Sequence, residues 1–159
     1  MSLRILLILL SFIAITNLFG QQFATPAETD IFIKSKDSTK LKTLFSLRDS
    51  VSGFIINEAT FIVDEEGNLM MVRHKLGDHP GRVSGHLIRE STYFFRSHSL
   101  IKVNRKTFDF ARVLHDDDVY LTNLKMKEMK KRVYKHYMKK SKLYIKQYQS
   151  YIKTNGAKQ

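Results

Sequence analysis

From Val119 to Asn155 the chain contains no glycine and no proline, and the next breaker is Gly156. A stretch of that length whose side chains also segregate at 100° per residue is predicted to form one long amphipathic helix. Met126, Val133, Tyr137, Tyr144, Tyr148, Tyr151 and Ile152 fall on one stripe. Lys131, Arg132, Lys135, Lys139, Lys142, Lys146 and Lys153 fall on the opposite one, and Lys130 and Ser141 interrupt the apolar side. Tyr137, Tyr144 and Tyr151 repeat every seven residues. Tyrosine buries its ring while its hydroxyl stays wet, so this stripe suits a partly covered interface better than a dry coiled-coil seam. The expectation is a helix over 119–155 and a short tail over 156–159, with the tyrosines resting on the rest of the fold or on a protein partner.

The charge is just as uneven. The formal net charge of the whole chain is +12. Residues 21–118 hold 14 basic and 14 acidic side chains, whereas 119–159 hold 12 basic ones against Glu128 alone. The basic face nearly always uses lysine, which favours diffuse attraction over bidentate recognition. It is either the solvated side of a helix packed by its tyrosines or a contact for an anionic polymer, a membrane surface of acidic headgroups or an envelope protein. No zinc-finger, helix-turn-helix or RNA-binding signature is present, so sequence-specific nucleic-acid reading is not expected.

The first twenty residues read as an address. Arg4 precedes the apolar run Ile5 to Ile15, and Gly20 offers a small residue for cleavage, with Ala24 as an alternative. The apolar stretch Ile5 to Phe19 would be about 22 Å long as a helix, too short for a hydrocarbon core of about 30 Å. Residues 1–20 are therefore expected to be a cleaved signal peptide. The mature chain is expected to have no transmembrane span and to be periplasmic, envelope-associated or secreted. The chain has no cysteine, which excludes disulfides, thiolate metal sites and a cysteine nucleophile.

Residues 21–118 are expected to be a charge-neutral α+β domain, a small antiparallel sheet of about four strands with a covering helix. Thr25-Pro26-Ala27-Glu28 has capping-box spacing, although Ile31-Phe32-Ile33 would also suit a strand. Leu41, Leu44, Phe45 and Arg48 suggest a second helix over Ser38 to Asp49. Phe54 to Val63, a turn at 64–68 and Leu69 to Lys75 predict a hairpin. The nine residues Phe61 to Leu69 resemble the hairpin of the TonB C-terminal domain; the rest of that family's pattern, tryptophan included, is missing, and no function is carried over. Val83 to Arg96 is predicted helical, with Leu87, Ser91, Phe94 and Phe95 on one face. Leu100 to Val103, a turn at Asn104-Arg105-Lys106 and Thr107 to Leu114 predict a second hairpin. Asp116-Asp117-Asp118 suit the positive end of the long helix, with Asp117 or Asp118 as N-cap.

Chemistry is harder to find. His74, Asp78, His79, Arg82 and His86 crowd around a glycine-containing loop, where a histidine could act as a general base. Their spacing matches no zinc signature, and the loop lacks the ending of a phosphate loop. No serine lies in a nucleophile elbow. Neither a metal nor a cofactor is expected. The leading expectation is an exported, non-catalytic binding protein that uses its basic helix as the contact surface. The alternative is a small secreted hydrolase acting on nucleic acid or polysaccharide, centred on His74, His79, Arg82 and His86.

Overall fold

The computed structural model describes residues 25–51, 54–77, 87–109, 112–121 and 131–155. The expected signal peptide, Asp78, His79, Arg82 and His86, residues 122–130 and the tail lie outside these. Helix α1 (Pro26–Ser35) is followed by a single 3₁₀ turn (Ser38–Lys40) and six strands: β1 (Lys42–Val51), β2 (Phe54–Val63), β3 (Leu69–Leu76), β4 (Leu87–Arg96), β5 (Ser99–Asp109) and β6 (Arg112–Tyr120). Helix α2 (Lys131–Asn155) completes the order. The strands form one antiparallel meander, each paired with its neighbours in sequence. The α+β class therefore holds, with six strands rather than about four.

The register aligns one apolar residue from every strand in a single row: Phe45, Phe61, Val72, Tyr93, Val103 and Val119. This row is the floor on which α2 lies. Phe61, Val72 and Val103 are fully buried, and Tyr137, Tyr144 and Tyr148 of the helix join the same core. Phe45 is sandwiched, its ring 4.3 Å from that of Phe61 and 4.2 Å from that of Tyr151, both nearly parallel. Tyr144 meets Phe61 edge-on at 6.0 Å and Tyr93 at 5.0 Å. Each such ring contributes roughly 1.5–3 kcal/mol on burial, so the tyrosine stripe holds the helix by packing. The Tyr148 hydroxyl also donates to the carbonyl of Gly67 at 2.6 Å, in the β2–β3 turn where φ is +83°.

Helix α1 packs on the opposite face. Its capping box forms as the spacing predicted: Thr25 Oγ1 accepts from the Glu28 amide at 3.3 Å, and the Glu28 carboxylate accepts from the Thr25 amide at 3.1 Å. Asp30 then reaches the sheet, accepting from Lys102 Nζ at 2.8 Å and from the Tyr120 hydroxyl at 2.7 Å. Asp118 meets the same ammonium at 2.8 Å. Desolvation alone would lower the Lys102 pKa, but Asp118, Asp30 and Tyr120 outweigh it and hold the ammonium above its ordinary value.

On this face a second in-register row crosses all six strands and alternates in sign: Arg48, Glu58, Lys75, Glu90, Lys106 and Asp116. Arg48 pairs with Glu58 at 2.6 Å, Lys75 with Glu90 at 3.8 Å and Lys106 with Asp116 at 3.2 Å.

Four elements differ from the sequence expectation. The helix expected over Ser38 to Asp49 is a 3₁₀ turn and strand β1. A bulge between Thr43 and Phe45 brings the adjacent Leu44 and Phe45 both against the core, which imitates helical spacing. The helix expected over Val83 to Arg96 is strand β4 from Leu87 onward, while 83–86 lie outside the described residues. Tyr93 and Phe95 face α2, and Phe94 lies beside Phe32 and Ile33 of α1. With apolar groups on both faces, the strand reads as a continuous run rather than an alternation.

The turn expected at Asn104-Arg105-Lys106 is the middle of β5. Those polar residues face charged partners on β6 across the ladder: Asn104 donates to Asp116 and Asp118, and Arg105 to Asp117. Asp117 and Asp118 accordingly do not cap a helix. They lie in β6, as do Val119 and Tyr120, and the described helix starts at Lys131.

Candidate functional site

Two features of α2 stand out chemically: its outer face and the cleft beneath its middle turns.

The outer face carries Lys131, Arg132, Lys135, Lys139, Lys142, Lys146 and Lys153, all exposed, with Lys140 half-buried at the margin. The helix has no acidic residue, and none of these eight cations forms an ion pair with a described residue. Packing explains the arrangement, because the tyrosine stripe faces the sheet and the lysines are left on the far side. Arg132, Lys139, Lys146 and Lys153 recur every seven residues, about 10.5 Å apart at the helical rise of 1.5 Å per residue. Among the other stripe residues, Tyr137, Tyr144 and Tyr148 are buried in the core and Tyr151 stacks on Phe45. Val133 and Ile152 are exposed, and Ser141 is buried, its hydroxyl donating to the Met138 carbonyl. The side chain that interrupts the apolar pattern is thus satisfied within its own helix.

The cleft has a volume of about 290 Å³ and lies between α2 and the β1–β3 part of the sheet. On the sheet side Asp49 Oδ2 accepts from Asn57 Nδ2 at 2.8 Å, and Asn57 Oδ1 meets His74 Nε2 at 2.7 Å. Asp49 thereby fixes the amide of Asn57, the amide presents its oxygen to His74, and Nε2 must carry the proton. Nδ1 is left as the acceptor of a neutral ring. Burial pushes the His74 pKa down, and the Lys140 ammonium across the cleft adds to the effect. The helix side supplies Lys140, Leu143, Tyr144 and Gln147. Gln147 Oε1 is buried without a hydrogen-bond partner. The Tyr144 hydroxyl, beside that of Tyr93, is buried without a hydrogen bond of normal geometry. Burial raises both phenols, Tyr93 to about 12.

Of the histidine-loop residues, His74 is buried under α2 as part of this polar chain; His79, Arg82 and His86 lie outside the described residues. His115 is on β6, 3.0 Å from Asp117 Oδ1. Hydrogen bonding to Arg105 holds the Asp117 carboxylate below its usual range. Among the described residues no group of three histidine, aspartate or glutamate side chains is placed to hold a metal ion.

Sequence reasoning missed Asp49, Asn57, Lys140 and Gln147. Register is the signal that finds them. His74 pairs across the ladder with Ala59, whose small side chain leaves room, and Asn57 is the next residue of β2 on that face. Among the described residues no helix is long and apolar enough to cross a membrane. No protein-family model matches the chain, nor does any curated protein or solved structure.

Proposed function

We propose that the protein is a non-catalytic binding protein, exported to the cell envelope or beyond with loss of residues 1–20, and that the outer face of α2 grips a linear anionic polymer. The observation that carries this reading is the set of eight basic side chains on α2 with no carboxylate partner among the described residues, beside a sheet that carries an alternating row of paired charges. Folding makes no use of these cations, and holding them side by side costs some repulsion.

A linear polymer fits better than a bilayer. The apolar side of α2 is occupied by the sheet, so it has no broad apolar face to insert. The seven-residue row is evenly spaced and winds only about 20° per repeat around the helix, which a flexible chain of repeating acidic units can follow. Lysine rather than arginine suits attraction to charge density over recognition of a particular group.

The test is retention on a polyuronate or heparin matrix. Binding should weaken steeply with salt, and a Lys139→Gln, Lys142→Gln, Lys146→Gln triple variant should reduce the slope of log affinity against log salt by about two to three. Equal retention of the triple variant would overturn the reading. Preferential binding to vesicles of acidic lipid over the polymers would move the assignment to a membrane surface.

A further inference from the structure

The cleft beneath α2 has a chemistry of its own. Its 290 Å³ lies at the lower edge of the range for small-molecule sites, about 300–1,000 Å³. Leu47 and Leu143, on opposite walls, remain 41% and 46% exposed, large apolar side chains beside a polar floor. The walls also carry opposite charges. Asp49 on β1 has one carboxylate oxygen engaged by Asn57, and Lys140 on α2 has no ion-pair partner among the described residues. Gln147 and Tyr144 complete the helix wall, Tyr144 itself 97% buried.

We propose that this cleft binds a small zwitterion with an apolar body, of the class of a free aliphatic amino acid. The ligand carboxylate pairs with Lys140. Its ammonium donates to the free carboxylate oxygen of Asp49, and its side chain lies against Leu47 and Leu143. A cation alone would meet Lys140, and an anion alone would meet Asp49. Only a ligand bearing both charges matches both walls.

His74 is a built-in reporter. The groups facing it are Asn57 from β2, with Asp49 of β1 behind it, and Lys140 and Tyr144 from α2. A carboxylate seated on Lys140 offsets the field that helps hold the imidazole neutral, so binding should raise the His74 pKa. The experiment is titration of the full chain with leucine, N-acetyl-leucine and leucinamide, followed by the His74 ring resonances and by calorimetry. Leucine should bind and shift the His74 titration upward. Each blocked analogue, having lost one charge, should bind roughly tenfold more weakly. Lys140→Gln should abolish the preference for leucine over leucinamide, and Asp49→Asn the preference for leucine over N-acetyl-leucine. Both positions lie outside the apolar core, and circular dichroism of each variant is the check on its fold. No movement of His74 with any of the three at millimolar concentration, or equal binding of all three, would overturn the proposal. Polyanion retention is tested at Lys139, Lys142 and Lys146, which do not line the cleft, so the two proposals fail separately.

Discussion

Across the sheet face opposite α2, Arg48, Glu58, Lys75, Glu90, Lys106 and Asp116 alternate in sign strand by strand, whereas α2 carries eight basic side chains and no acid. In the sheet, charge is part of the folding specification. Each strand meets an oppositely charged neighbour, and a one-residue slip would move the apolar row Phe45 to Val119 off the face that α2 covers. On the helix, charge has no such use. The tyrosines dock it, and its lysines could be exchanged for neutral residues without altering a contact in the core. Where charge specifies the fold, its removal should register in stability. Where it does not, its removal should register in binding.

The sharpest break of that comparison sets the two faces of α2 against each other. Tyr144→Ala should cost about 3–5 kcal/mol, because a buried ring is lost from a close-packed site. Lys142→Gln, on the outer face, should stay within about 0.5 kcal/mol of the parent. Chemical denaturation of both variants measures the difference, and similar losses would mean that the lysine face is structural after all.

Next comes the clasp between α1 and the sheet. Lys102 has a side chain only 11% exposed and holds Asp30 and Asp118 together. Lys102→Ala leaves two carboxylates facing each other and should cost about 1–3 kcal/mol, less than a fully buried pair because both acids are roughly one-third exposed. Asp30 gives the pH signature. Desolvation opposes its ionisation, yet Lys102 and Tyr120 hold its folded pKa below 3.8. Its contribution is therefore complete above that value and is lost as pH falls through the lower folded one. Acid unfolding of Lys102→Ala should lack this component.

These elements also show what could be read from sequence. The α1 cap, the β2–β3 hairpin and a long amphipathic C-terminal helix were legible, because each rests on local chemistry: Thr25 with Glu28, the turn at Gly67, the seven-residue tyrosine repeat. Strands β1, β4 and β5 were misread because tertiary partners rewrote their patterns. A bulge makes Leu44 and Phe45 look helical. Cover on both faces erases the alternation around Tyr93 to Phe95. Asn104 to Lys106 looks like a turn until β6 supplies its acids. Of the candidate sites, the lysine face followed from periodicity. The cleft did not, since Asp49, Asn57 and His74 meet only once three strands are in register.

His74 yields the third prediction. Its folded pKa lies below the unfolded value of 6.5, so below pH 6.5 the unfolded chain takes up a proton that the folded chain refuses. Stability should fall as pH drops from 6.5 toward the folded value and level off beneath it. His74→Gln should remove that slope while leaving the one due to Asp30. A slope that persists in His74→Gln would place the titration elsewhere.

The pair at the β1 edge, Arg48 and Glu58, is half-exposed, and a double-mutant cycle to alanine should give about 0.2–1 kcal/mol of coupling. A value of zero would mean that the alternating row is ornamental at its rim.

The smallest effect separates the two kinds of charge most directly, because salt acts on them with opposite signs. Raising ionic strength from about 0.05 to 0.5 M shortens the screening length from about 14 to about 4 Å. It weakens attraction along the sheet row, which is destabilising, and repulsion along α2, which is stabilising. In the parent protein these changes oppose each other, and Tm should move little. In the Lys139→Gln, Lys142→Gln, Lys146→Gln variant most of the repulsion is already gone, so the same salt step should lower Tm. In Arg48→Ala, Lys75→Ala, Lys106→Ala the attractive side is removed and Tm should rise with salt. The differences amount to a few tenths of a kcal/mol, within reach of parallel thermal scans. If both triple variants responded to salt alike, the charges of sheet and helix would form one field, and the separation of a folding role from a binding role would fail.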